Sequence, residues 1–197
     1  PEDKNNFKKF WPGMQVAGKD NLRQQSAMWQ AMLMSAGLPN SKQILIHGFI
    51  TSSNQKMSKS LGNVIDPFAL VKRYGTDPLR YYLLRHISPF EDSDFTIKKF
   101  EAAYTADLAN GLGNLVSRVA GLIEQNQAQI NLISPDQVQK KKDKEFAELM
   151  AGFLFDQALK YIWDKIAEVD GLISTTKPWL LAKEKKTKKL ETVLNKA

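Results

Sequence analysis

Residues 44–63 read ILIHGFITSSNQKMSKSLGN: an apolar run, a cluster of turn formers, then two lysines three apart among serines. Ile44 to Ile50 has the β-branched and aromatic content of a strand, bounded by Pro39-Asn40 before it and Thr51-Ser52-Ser53-Asn54 after it. A loop following such a strand, with Lys56 and Lys59 as point charges and Ser58 and Ser60 as hydroxyls, has the chemistry to hold a polyphosphate while staying mobile enough to close over it. The plain alternative for any Lys-x-x-Lys is a solvated basic turn.

Upstream, Met14 to Ala17 form a short apolar run ending at Gly18-Lys19-Asp20, and residues 21–36 read as a helix with apolar Leu22, Met28, Trp29, Met32 and Leu33. Strand, helix, strand and phosphate loop make up half of a doubly wound nucleotide fold. Downstream, residues 61–99 are rich in turn formers and mixed charge, including Asp66-Pro67, Tyr74-Gly75, Asp77-Pro78 and Ser88-Pro89, and read as a connector. From Phe100, an apolar stripe runs through Tyr104, Leu108, Leu112, Leu115, Val116, Val119, Leu122 and Ile123 in steps of three and four. The opposite face carries Asp107, Gly111, Asn114, Arg118 and Gln125, so Asn114 and Arg118 project side by side into solvent. A second stripe from Phe146 to Ile173 ends at Lys177-Pro178-Trp179, where proline resets the chain and presents Trp179 beyond the helix end. Residues 125–144 are polar and read as a loop between helix pairs. Trp163, off the stripe, is expected to be packing.

The 197 residues, 43% of them apolar, suffice for a real core and for two small domains. A net charge of +7 and a pI near 9.4 favour a polyanionic partner, either nucleic acid or an anionic membrane surface. No apolar run approaches the roughly 20 residues that span a bilayer, so no membrane-spanning segment is expected. There is no cysteine, and His47 and His86 are the only histidines, so neither disulfides nor a thiolate or histidine metal site is expected.

Lys56-Met57-Ser58-Lys59-Ser60 matches letter for letter the second signature, KMSKS, of the class I aminoacyl-tRNA synthetases, with the Leu61-Gly62-Asn63 continuation common in that class. Arg80 to Arg85, Asp94-Phe95, Asp107 to Leu115, Ser117-Arg118 and Lys177-Pro178-Trp179 look specifically like the methionyl-tRNA synthetase family, and the resemblance covers nearly the whole chain. It implies an α/β plus all-α fold, namely the C-terminal half of a Rossmann-like catalytic domain (1–63), a connector that relays tRNA binding (64–99) and an α-helical anticodon-binding bundle (100–197). It implies activation of methionine by ATP, as its Mg2+ complex, and transfer to tRNA(Met) in the cytoplasm. In that chemistry charge grows on the departing pyrophosphate, and cations aimed at it lower the barrier. By the family pattern Lys56 and Lys59 are the catalytic cations, Ser58 and Ser60 bind phosphate or shape the loop, Met57 anchors it, and His47-Gly48 lie near the adenosine. Asn114, Arg118 and Trp179 match the residues that read the anticodon, Trp179 offering a stacking face.

Departures cluster around the amino-acid pocket. The family commonly follows Gly-Lys-Asp with an apolar residue and then Phe-His, and here those positions are Asn21, Gln24 and Gln25, with Trp29 four further on. Asp20, Gln25 and Trp29 are the expected pocket residues, although Gln25 does not reproduce an imidazole. Asn54 stands where the family usually has Gly, and Asn visits positive φ more readily than most residues. The family's first signature, HIGH, does not occur in the chain, which carries the expectation of a C-terminal fragment that is inactive alone. Lys140 to Lys142 and Lys183 to Lys189 are candidate phosphate-backbone contacts. A leucyl, valyl or isoleucyl enzyme, and a non-catalytic tRNA-binding module with an idle loop, are the competing readings.

Overall fold

Strands β1 (Met14–Gly18) and β2 (Gln43–His47) pair in parallel, with Met14 opposite Gln43 and Gly18 opposite His47. The helix between them runs through a π segment, Gln24–Met28, into α2 (Trp29–Ser35) and makes the crossover that parallel strands need. Gln30 ties that helix to the entry of β2, donating from Nε2 to Ser41 Oγ and accepting from Ser41 N. Of the five apolar residues expected to line the helix, Leu33 is buried, whereas Leu22, Met28, Trp29 and Met32 are exposed. The computed structural model describes residues 4–131 and 143–196, without the side chains of 4, 5 and 59. Lys140 to Lys142 lie outside the described residues.

The expected single strand from Ile44 to Ile50 is two strands in two sheets. After β2 the chain leaves at Gly48-Phe49, and β3 (Ile50–Ser52) forms a second sheet between antiparallel β4 (Gln55–Lys56) and parallel β5 (Ser93–Asp94). The cause is a close approach at Gly48, where a Cβ would lie 2.2 Å from the Glu91 carbonyl oxygen. Only glycine lets the two backbones pass. The chain divides into one unit of Pro1–Ile65 with Ile87–Phe95, whose core includes Leu33, Leu45, Ile87 and Phe95, and another of Asp66–His86 with Thr96–Ala197.

The second unit is helical. Asp66 caps α3 (Pro67–Tyr74), accepting from Phe68 N, and Pro67 takes the first helical position, where its missing N–H costs nothing. Gly75 at φ 89° turns the chain into α4 (Thr76–Arg85). Thr96 caps α5 (Ile97–Ala103), which continues through a π segment, Tyr104–Gly113, into α6 (Asn114–Asn126). Tyr74, Tyr82, Phe100 and Tyr104 pack as an aromatic cluster around the fully buried Phe100.

The π segment interrupts the expected stripe without removing it: Phe100 and Leu115 are buried and Val119, Leu122 and Ile123 half-buried. Its wider turn rotates the helix away from the 3.6-residue period, leaving Val116 56% exposed while Asp107 and Gly111 turn inward. Asp107 accepts hydrogen bonds from Tyr81 Oη at 2.7 Å and lies 3.0 Å from His86 Nε2, and Gly111 faces Trp163, where a Cβ would lie 3.3 Å from the indole. Glycine permits the turn, since a Cβ at Gly113 would stand 2.9 Å from the Leu108 carbonyl oxygen.

The second expected stripe is also broken. Asp143 caps α7 (Lys144–Ala151), the chain reverses at Gly152-Phe153 with Phe153 at φ 59°, and α8 (Phe155–Thr176) follows. Lys177 at φ 47° ends α8, and Pro178 starts α9 (Pro178–Lys183), followed by α10 (Thr187–Leu194). Leu190 and Leu194 bury Ala128 beyond the end of α6, so the start of the expected 125–144 loop is pinned, with Gln129 N donating to Glu191 Oε1.

Candidate functional site

The loop carrying the two lysines begins as a tight hairpin. Thr51 pairs with Lys56 and Ser52 with Gln55, leaving Ser53 and Asn54 as a two-residue turn at φ 54° and φ 60°. Both central residues in the left-handed region make this the hairpin turn whose twist matches its strands. Asn54 meets that requirement, and its N–H donates to Asp94 Oδ1 at 2.7 Å. Lys56 therefore stands at the end of β4 with its side chain largely exposed.

Beyond Lys56 the loop closes on itself. Asn63 donates from Nδ2 to the Lys56 carbonyl (3.2 Å) and accepts from Ser58 N (2.9 Å), bridging seven residues. The Ser58 and Ser60 hydroxyls lie 2.6 Å apart, Ser60 N donates to Ser58 Oγ, and Lys59–Leu61 form a single 3-10 turn. Met57 is half-buried, and Gly62 at φ 63° returns the chain.

The surroundings of Lys56 hold a second lysine and two carboxylates. Asp20 Oδ2 is 4.0 Å from Lys56 Nζ, and Lys19 Nζ donates to Asp92 Oδ2 at 2.6 Å. Asp92 also accepts from Phe49 N at 2.8 Å, and these bonds, Lys19's the larger, hold its pKa below the usual carboxylate value. Both ammonium groups lie against the Phe49 ring, Lys19 at 4.5 Å and Lys56 at 4.8 Å from its centroid. His47 ends β2 half-buried, with Nδ1 2.6 Å from the Gly48 oxygen. Asp20 thus lies with Lys56, while Gln25 and Trp29 sit on the crossover helix, where the Gln25 carbonyl accepts from Gln30 Nε2 at 2.9 Å.

In the helical unit, Asn114 and Arg118 line one groove of about 590 Å³ together with Asn110, Trp163, Ile166 and Asp170. Arg118 Nη2 donates to Asp170 Oδ1 from α8. Arg118 also lines a smaller hollow of about 240 Å³ with Ser117, Leu122, Gln125 and the half-exposed Trp179. One guanidinium therefore borders both the Asn114 groove and the hollow that Trp179 lines. A planar cation between an amide and an aromatic face can bond and stack an unpaired base. Asn63, Phe49 and Asp170 escape sequence reasoning. Asn63 belongs to the Leu61-Gly62-Asn63 continuation, whose sequence does not show the bridge it makes, and no local pattern marks the other two.

A family model described as tRNA synthetases class I (M) matches residues 1–120. The chain is 41% identical over 199 residues to the methionine–tRNA ligase of Thermotoga maritima, covering 95% of this chain and 32% of that protein. It is 39% identical over 203 residues to that of Lactococcus lactis, covering 98% and 31%. Mycobacterium tuberculosis methionyl-tRNA synthetase bound by methionyl-adenylate superposes with a TM-score of 0.85 at 30% identity, over 98% of this chain and 41% of that one. The chain spans about a third of the length of the curated relatives it matches.

Proposed function

The chain belongs to the class I tRNA synthetases of the methionyl type, and from that premise we propose that it serves the ATP-dependent attachment of methionine to tRNA(Met) through methionyl-adenylate. The methionine carboxylate attacks the α-phosphate of ATP, the bond to the β-phosphate breaks, and pyrophosphate leaves carrying the new charge. Lys56 and Lys59 act on that charge, and ATP enters as its Mg2+ complex, a substrate rather than a resident metal. Met57, Ser58 and Ser60 shape and line the phosphate loop, and His47-Gly48 border the adenosine. Asp20, Gln25 and Trp29 are assigned to the methionine side, with Asp20 next to Lys56. Asn114, Arg118 and Trp179 read the anticodon, and a tRNA partner argues for the cytoplasm. We assign residues 1–63 to the catalytic domain, 64–99 to the connector and 100–197 to anticodon binding.

The observation that carries this reading is the closed loop at Asn63, which ties the backbone of the signature motif into a turn beside Lys56. The test is ATP–pyrophosphate exchange by the full-length protein. Exchange dependent on methionine, and not on leucine, valine or isoleucine, supports the assignment; exchange driven by one of the other three overturns it.

A further inference from the structure

We propose that the Phe49 ring is the seat from which the Lys56 ammonium is delivered to the nucleotide phosphates, making Phe49 a positioning residue of the adenylation step. The inference rests on the role given to Lys56 above. The backbone that carries the ring is held by a segment more than 40 positions along the chain: Phe49 N donates to Asp92 Oδ1, Ser93 N donates to the Phe49 carbonyl at 2.9 Å, and Gly48 sits too close to Glu91 to bear a Cβ. Lys19 reinforces that hold, bonded to Asp92 and lying over the same ring.

Lys56, by contrast, hangs beyond the Ser53-Asn54 turn with 68% of its side chain exposed. Its carboxylate neighbour Asp20 stands 4.0 Å away, at the outer edge of an ion pair, while its ammonium rests over the Phe49 ring. A carboxylate in contact would cancel the charge that the leaving pyrophosphate needs. An aromatic face attracts an ammonium through its quadrupole without neutralising it, and at an exposed site it does so weakly enough to yield to a triphosphate. The arrangement joins a ring on an anchored backbone to an exposed cation.

The experiment is methionine-dependent ATP–pyrophosphate exchange by the full-length protein carrying Phe49→Leu, Phe49→Tyr, Lys56→Ala or Phe49→Leu with Lys56→Ala. Loss of the seat should lower kcat about 3- to 10-fold in Phe49→Leu, with the KM for methionine unchanged. Phe49→Tyr, which keeps the aromatic face, should retain the parent rate. In the Lys56→Ala background Phe49→Leu should cost nothing further, because the residue it positions is gone. Phe49→Met supplies the same comparison if Phe49→Leu does not fold. Multiplicative losses in the double variant, or a Tyr variant as slow as the Leu variant, would overturn the seat while leaving Lys56 in its role. A parent rate in Lys56→Ala alone would overturn that role and the seat with it.

Discussion

Arg118 on α6 and Asp170 on α8, 52 positions apart, are joined by a hydrogen-bonded ion pair inside the groove that Asn114 also lines. Exposed pairs of this kind contribute about 0–1 kcal/mol to stability, so its importance lies in where it holds the guanidinium. Removing either Arg118 or Trp179 should therefore act on RNA rather than on folding. Arg118→Ala and Trp179→Ala are each expected to weaken tRNA(Met) binding by about 1–3 kcal/mol while adenylate formation stays near the parent rate. Titration with tRNA measures this, and unchanged affinity, or an equal loss of adenylation, would contradict the anticodon assignment.

Asn63 spans the loop from Lys56 to Ser58 with two hydrogen bonds. Each is worth about 0.5–1.5 kcal/mol, so losing both in Asn63→Ala should slow ATP–pyrophosphate exchange about 5- to 150-fold. A parent exchange rate would show that the closure is not used.

Gly48 has no room for a methyl group. Gly48→Ala must push the β2–β3 connection away from Glu91 and is expected to destabilise the protein by about 2–3 kcal/mol. Denaturant unfolding reads this directly, and a loss below about 0.5 kcal/mol, the usual size for surface changes, would mean that the two backbones separate freely.

Asp92 gives the Phe49 platform an acid limit. Its folded pKa is lowered from 3.8, chiefly by the bond from Lys19 and then by that from Phe49 N. A lowered carboxylate contributes stability that is fully present above its unfolded value and is lost as pH falls through the folded one. Stability should therefore drop below about pH 4, and Asp92→Asn should show a smaller drop over that range than the parent. Identical acid profiles for the two proteins would remove Asp92 from the account.

The order of strand, crossover helix, strand and lysine loop is legible in residues 14–63 because apolar runs and turn formers alternate on a scale of a few residues. Asn54 is legible too, since a positive φ is a local demand that few residue types meet. What escapes is set at a distance. The split of Ile44–Ile50 depends on Glu91, and the inward turn of Asp107 and Gly111 depends on a π segment that a 3.6-residue count does not contain. The reversal at Phe153 shows in sequence only as Gly152 before it. Of the proposed site residues, Lys56, Asn114, Arg118 and Trp179 are suggested by motifs, whereas the contacts of Phe49, Asn63 and Asp170 with them emerge only in space.

The central claim is that the signature lysines act on the leaving pyrophosphate, and the most direct measurement is the kinetics of Lys59→Ala in the full-length protein. Methionine-dependent ATP–pyrophosphate exchange should fall by about 100-fold or more while methionine binding changes little, as removal of a cation from a developing charge requires. Equal losses in exchange and in methionine binding would contradict the account.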